Sequence, residues 1–182
     1  MSGALSITLL AAMAAVHPAV PPRKPRAAAT LKPMASGNFT VTVSPATINF
    51  NTTSNPGTTP VVAGSSAATV TWSALSVFDN NNWTLTVQAT AAAFTNCPLV
   101  PVSAVTVTCS SASISGYGGT AICSGAFPLS TTAQQVAGGS IGGLISQNYS
   151  VTISFTLADS WKYIAEQSPA CSLSLNYVAN VP

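Results

Sequence analysis

Alternation of apolar and polar residues recurs along the chain from Asn38 onward. In the longest run, Tyr149–Leu157, each apolar residue is followed by Ser or Thr. Phe39–Ser44, Trp83–Gln88 and Leu173–Tyr177 repeat the pattern. Because successive side chains of a β-strand point to opposite faces, this period predicts strands with one face in a core and the other in water.

Turn-forming residues separate the alternating segments and set the predicted strand spacing. Further strands are predicted near Thr47–Phe50, Ala68–Leu75, Ser103–Cys109, Thr120–Phe127 and Gln134–Val136. The turns fall at Asn55–Gly57, Asp79–Asn82, Gly116–Gly119 and Gly138–Gly143. Short strands at this spacing, without helical periodicity, predict an all-β fold: an antiparallel immunoglobulin-like β-sandwich of about eight or nine strands.

The first 35 residues differ in composition from the rest. Ala4–Val16 is a mostly apolar run of 13 residues, the length of a signal-peptide core and too short to span a bilayer. A basic Pro-rich spacer follows it, which opposes translocation in that orientation, so a tail without a targeting role is the alternative. We interpret residues 1–35 as an export leader with its spacer and residues 36–182 as one domain without a membrane span.

Ionisable side chains are nearly absent after the leader. From Ser36 to the end there is one base, Lys162, and there are three acids, Asp79, Asp159 and Glu166. Acid–base and nucleophilic catalysis and metal binding need such groups placed together, and nucleic acid needs many cations. The sequence therefore predicts a protein that is not an enzyme, has no cofactor or metal, and does not bind nucleic acid. Asp159 and Glu166 are expected to form a solvated loop pair rather than a glycosidase site.

Four cysteines, an even number in a chain with an export-like leader, predict two disulfides. Cys109 and Cys123 are equidistant from Gly116, so a hairpin around that glycine would place them opposite each other. This geometry favours Cys109–Cys123 and leaves Cys97 to pair with Cys171. Cys97 with Cys109 needs only a local loop and stays an alternative. No CxxC spacing supports a zinc site.

Three aromatic residues, Tyr117, Trp161 and Tyr163, lie outside the alternating runs. Exposed aromatic rings stack on sugars or anchor a protein interface. Aromatic residues in such loops more often close the open end of a sandwich. We take the three as candidate surface contacts, with the packing role as the alternative.

Two short segments carry a resemblance to a known family. Asn82-Trp83-Thr84-Leu85-Thr86-Val87 resembles the first signature of the WxL cell-wall-binding domain of Gram-positive bacteria. Ala93-Phe94-Thr95 resembles the Phe-containing loop of that domain. Phe155-Thr156-Leu157 stands where a second Trp-x-Leu would lie, with Phe in place of Trp, and cysteines are not part of that pattern. The resemblance implies an exported immunoglobulin-like sandwich attached non-covalently to peptidoglycan, with Trp83 and Leu85 in its core.

These observations predict a non-catalytic extracellular protein of the cell envelope, active in binding or adhesion. Its partner would be a cell-wall polymer or another envelope component. The alternative is a structural subunit of a pilus, fibre or surface layer in which copies of the chain pair through edge strands. Phe39–Phe50 would then be the exchanged strand.

Overall fold

The computed structural model describes residues 41–74, 82–116, 118–142, 146–165 and 168–180. These ranges contain thirteen strands and one short 3-10 helix, Val102–Ala104. The strands are β1 (Thr42–Ser44), β2 (Thr47–Phe50), β3 (Val61–Ala63), β4 (Ala68–Ala74), β5 (Asn82–Ala89), β6 (Ala93–Phe94), β7 (Cys97–Pro101), β8 (Val105–Ser115), β9 (Ile122–Cys123), β10 (Phe127–Pro128), β11 (Gln134–Ser140), β12 (Gln147–Ala158) and β13 (Cys171–Asn180).

The strands form two principal sheets, and every pair is antiparallel. Sheet I has the order β1-β4-β12-β8-β10, with β3 paired to the end of β12. Sheet II has the order β2-β13-β5-β11-β9, and β6 with β7 forms a separate two-stranded sheet. The all-β, antiparallel prediction is confirmed.

One hydrophobic cluster contains the inward-facing residues of both sheets. Sheet I contributes Val70 and Val151, and sheet II contributes Leu85 and Val87, all at most 1% exposed. Apart from Ala158 at the end of β12, the outward positions of the same strands carry Ser, Thr, Asn or Gln, as the period-two pattern predicted. The alternation therefore fixes which face of each long strand is buried.

The strand count and some strand positions differ from the sequence prediction. The described residues contain thirteen strands, whereas eight or nine were predicted. The difference comes from short strands of two to five residues, namely β3, β6, β7, β9 and β10. None of these five segments alternates apolar with polar residues, so the period-two pattern does not mark them. The prediction of one strand over Thr120–Phe127 is wrong: Ile122–Cys123 joins sheet II and Phe127–Pro128 joins sheet I, so the chain crosses between the sheets at Gly125.

The first described strands lie at the edges of two different sheets. Thr42–Ser44 pairs with β4 in sheet I, whereas Thr47–Phe50 pairs with β13 in sheet II. The chain changes sheets at Pro45, which supplies no backbone N–H to either ladder. The stretch from Thr42 to Phe50 is therefore an edge of both sheets.

Both disulfides have the pairing that the spacing favoured, Cys109–Cys123 and Cys97–Cys171, each with a Cα–Cα distance of 5.4 Å. The hairpin argument for Cys109–Cys123 is nevertheless wrong. Cys109 lies on β8 of sheet I and Cys123 on β9 of sheet II, so this bond joins the two sheets rather than neighbouring hairpin strands. Two disulfides indicate folding in an oxidising compartment. Among the described residues, no helix has the length and apolar character needed to cross a bilayer.

Candidate binding surface

Two loops meet at the end of β12 and form a surface that we call the loop end, residues 51–60 and 159–165. The Asp159 N–H donates to the Pro60 carbonyl at 2.9 Å. Thr52 is only 1% exposed, and its hydroxyl donates to the Ile164 carbonyl at 2.6 Å. These bonds connect segments about a hundred residues apart in sequence, so the two loops hold each other in place.

The Asp159 carboxylate is the centre of this arrangement. Its Oδ2 accepts hydrogen bonds from the Thr53 N–H at 2.7 Å and the Thr53 hydroxyl at 3.0 Å. Its Oδ1 accepts from the Ser160 N–H at 2.8 Å. The expectation of a merely solvated Asp159 is therefore wrong, since the carboxylate organises two loops. Glu166, its proposed companion, lies outside the described residues.

Replacing Asp159 by alanine is expected to lower the free energy of unfolding by about 1–3 kcal/mol, because three donors lose a charged acceptor. Urea unfolding monitored by circular dichroism measures this change. Lys162→Ala is the matched control, since Lys162 is the exposed charged residue of the same loop and its loss should change stability by no more than about 0.5 kcal/mol. Equal effects of the two substitutions would contradict the organising role of Asp159.

Two of the three aromatic residues predicted as surface contacts, Trp161 and Tyr163, lie in the described part of the chain and differ in their exposure to solvent. Trp161 is 70% exposed, and its Cζ2 lies 3.6 Å from the position that a Cβ on Gly57 would occupy. Tyr163 is half-buried against the core. The pKa of its phenol is raised, mainly by this burial and to a smaller extent by the negative charge of Asp159. Tyr117 lies outside the described residues. Trp161 is therefore the aromatic side chain that the loop end presents to solvent.

Two exposed aliphatic residues adjoin the same loops and were missed by sequence reasoning. Leu99, on β7, is 63% exposed and Ile164 is 62% exposed. Together with Cys97, Pro98 and Val100 they line an apolar hollow of about 100 Å³ beside the Cys97–Cys171 disulfide. Neither residue belongs to an alternating run long enough to assign its exposure from the sequence, so only the fold shows that they are neighbours.

The outer face of sheet I carries hydroxyl groups instead of charges, and we call it the hydroxyl face. Register places the outward residues of four adjacent strands in rows, for example Thr42, Thr71, Ser150 and Ser113. A shallow groove of about 450 Å³ lies on this face. The outward residues are Thr42 and Ser44 on β1, Thr69, Thr71 and Ser73 on β4, Asn148, Ser150, Thr152, Ser154 and Thr156 on β12, and Thr106, Thr108, Ser111, Ser113 and Ser115 on β8.

The residues that carry the WxL resemblance are in the core. Trp83 is 1% exposed and Leu85 is fully buried, both on β5 of sheet II. Phe155 and Leu157, on β12 of sheet I, are 2% and 0% exposed. These residues can act on a ligand only indirectly, through the stability of the two sheets.

The described residues contain no group of three or more His, Cys, Asp or Glu side chains that could hold a metal ion. Asp79, one of the three acids after Ser36, lies outside those residues. No protein-family model, no curated protein and no solved structure matches the chain.

Proposed function

We propose that this chain is a non-catalytic, extracellular protein of the cell envelope, an immunoglobulin-like β-sandwich that binds a cell-wall polymer through its loop end. The observation that carries the proposal is the exposure of Trp161, 70%, on loops that are fixed by hydrogen bonds. A Trp ring presents a large flat apolar face that stacks on a sugar ring, and a fixed loop lowers the entropy lost on binding.

The surroundings of Trp161 suit a hydroxyl-rich polymer. Asp159 and Lys162 are the only Asp, Glu, Lys, Arg or His residues in the described ranges, and both lie at the loop end. The column of outward side chains on β12 runs from Asn148 to Thr156 and ends beside the same loop. At about 3.4 Å per residue, this column extends over roughly 30 Å, enough for several sugar units of a glycan strand.

The extracellular location rests on two features. Both cysteine pairs form disulfides, which persist in oxidising compartments and are rare in the cytosol. The N-terminal apolar run has the length of a signal-peptide core. The WxL resemblance supports the same location and gives peptidoglycan as the first polymer to test.

Co-sedimentation of the oxidised chain with purified peptidoglycan tests the proposal. The wild-type protein should pellet with the wall material and stay soluble without it. Trp161→Ala should weaken binding by roughly thirty-fold, the effect of losing about 2 kcal/mol at an aromatic hot spot, and leave the unfolding midpoint unchanged. Ile122→Ala is the matched control, since Ile122 is 65% exposed but lies on β9 of sheet II. A soluble wild-type protein in both tubes would refute wall binding.

A second candidate function is a structural subunit of a pilus, fibre or surface layer. The observation that favours it is the position of Thr42–Ser44 and Thr47–Phe50 at the edges of both sheets. Ile48 and Phe50 are at most 1% exposed, so a copy of this segment from another chain would fill the same core positions. A ladder of oligomers that resists heating in detergent would support this function, and pelleting without wall material would point the same way.

A further inference from the structure

The apolar hollow beside the Cys97–Cys171 disulfide is formed by two segments that are far apart in the sequence. Strand β7 supplies four of the described lining residues, and Ile164 of the loop end supplies the fifth. None of these five side chains is a strong hydrogen-bond donor or acceptor. The hollow has a volume of about 100 Å³, room for more than one water molecule. Water has no polar side-chain partner against this lining, so filling the hollow with an apolar group is favourable.

The walls of the hollow are held in place by the fold itself. Cys97 and Val100 are buried members of the core cluster, and the disulfide ties Cys97 to β13. The backbone of Ile164 is fixed as well, because its carbonyl accepts the hydrogen bond from the buried Thr52 hydroxyl. A site that is already formed loses little conformational entropy when a ligand binds.

A bulge in β7 turns Leu99 towards solvent at the rim of the hollow. The adjacent β6 residues Ala93 and Phe94 lie opposite Pro101 and Cys97, which are four positions apart on β7. The three residues between them have no partner in the register, and Leu99 is the middle one. Bulges re-aim side chains and are common beside functional sites. The Leu99 side chain is therefore exposed, and its N–H and C=O stand outside the register of β6 with β7.

Exposed apolar side chains are concentrated around this hollow. The described residues include five large apolar side chains that are exposed, and four of them belong to the loop end or adjoin it: Val61, Leu99, Trp161 and Ile164. Single exposed apolar residues are normal on any protein, whereas a group of them is typical of an interaction surface. The hollow is therefore part of the same surface as the Trp161 ring.

Trp161 is also close to the hollow along the chain. The Tyr163 N–H donates to the Ser160 carbonyl at 2.9 Å, which closes a turn with Trp161 at its first corner. Ile164 follows this turn directly, so its Cα is at most roughly 11 Å from the Trp161 Cα, three peptide units away. Two or three linked sugar units span such a distance. One glycan chain can therefore stack on the Trp161 ring and place a substituent in the hollow.

We propose that the hollow receives the methyl group of an N-acetyl substituent, so that the polymer bound at the loop end is built from N-acetylated amino sugars. This inference rests on the proposed glycan binding by Trp161 and adds the chemical group that is recognised. The hydroxyl of an unsubstituted sugar would lose its hydrogen bonds to water against the apolar lining, which is unfavourable. A methyl group gains free energy from the same burial. Its amide stays at the rim, where the Leu99 N–H and C=O are available as partners.

Calorimetric titration of the full, oxidised chain with two soluble oligosaccharides tests the inference. Both are chains of glucosamine units, one N-acetylated and the other N-formylated, so they differ by one methyl group on each sugar. The N-acetylated chain should bind about ten-fold more tightly, the discrimination that an apolar pocket achieves for one carbon atom. Equal affinities, or binding of neither oligosaccharide, would overturn the inference.

The substitution Leu99→Ser tests whether the hollow supplies this preference. Leu99 is 63% exposed, so the unfolding midpoint should not change. The N-acetylated chain should bind about ten-fold more weakly, and the difference between the two oligosaccharides should disappear. Ile122→Ser is the matched control, an equally exposed apolar residue on β9 that should keep the preference. A Leu99→Ser protein with the wild-type preference would overturn the role of the hollow.

The hollow and the proposed wall binding fail in different experiments. Pelleting with peptidoglycan, together with equal affinities for the two oligosaccharides, would refute the N-acetyl site and leave wall binding intact. A ten-fold preference for the N-acetylated chain without pelleting would refute wall binding and support the N-acetyl site. Trp161→Ala should weaken the binding of both oligosaccharides by the same factor, because the ring stacks on the sugar and not on its substituent.

Discussion

Replacing Cys97 and Cys171 together by alanine is expected to lower the free energy of unfolding by about 4–5 kcal/mol. The two residues are 74 positions apart, so their bond removes much conformational freedom from the unfolded chain. The bond also ties β7, outside the two principal sheets, to β13 of sheet II. Cys171 is fully buried and Cys97 is 7% exposed, so the substitution also leaves a small cavity.

The second disulfide supplies the comparison. Cys109 and Cys123 are 14 positions apart, and the same entropy argument gives about 3 kcal/mol for their removal. Guanidinium unfolding of the two double-alanine variants, analysed by linear extrapolation, measures both losses under identical conditions. We expect the Cys97–Cys171 variant to be the less stable by about 1–2 kcal/mol. If the Cys109–Cys123 variant were the less stable, the link between the two sheets would contribute more to the free energy of unfolding than the length of the closed loop does.

The sequence predicts the long strands well, because each is long enough to show several repeats of the apolar–polar alternation. Tyr149–Leu157 alternates over nine residues and lies within β12, with its odd positions buried. Thr47–Phe50 has only four residues but is also predicted to its ends, since the buried Ile48 and Phe50 alternate with the exposed Thr47 and Asn49. In such strands the pattern of apolar residues decides both the strand and its buried face.

Sheet membership is decided by contacts that the period does not encode. The same alternation places Thr42–Ser44 in sheet I and Thr47–Phe50 in sheet II, although only Pro45 and Ala46 separate them. Cys109 and Cys123 show the same limitation, because equal spacing from Gly116 gave the right pair through a hairpin that does not exist. Strand order depends on which edges remain available when the sheets pack.

The candidate surface was predictable in part. Trp161 is recognisable in the sequence because it interrupts the alternating pattern near the end of a long strand. Its support is not recognisable, since Thr53 and Asp159 are 106 positions apart and meet only in the folded chain. Leu99 and Ile164 likewise become neighbours only through the fold. Long-range contacts between loops are the part of a site that a single sequence conveys least.

Replacing Trp83 by alanine is expected to cost about 3–5 kcal/mol of stability, the usual cost of deleting a buried aromatic ring. Trp83 is 1% exposed and packs edge-to-face on Trp72 and Tyr149, with ring centroids 5.0 and 5.4 Å away. Its Nε1–H donates to the Thr120 carbonyl at 3.0 Å. Trp83→Phe keeps an aromatic ring but loses this hydrogen bond, so it should be destabilised by a smaller amount, about 1–3 kcal/mol.

The comparison of Trp83 with Trp161 separates the effect of a core residue from that of the proposed binding residue. Trp83→Ala should lower the unfolding midpoint, while any fraction that remains folded binds the wall normally. Trp161→Ala should reduce binding and leave the midpoint unchanged, because its side chain is exposed. Thermal unfolding and wall binding measured on the same samples distinguish the two cases. If Trp83→Ala abolished binding while the midpoint stayed at the wild-type value, Trp83 would act on the polymer directly, and the loop end would lose its role as the contact surface.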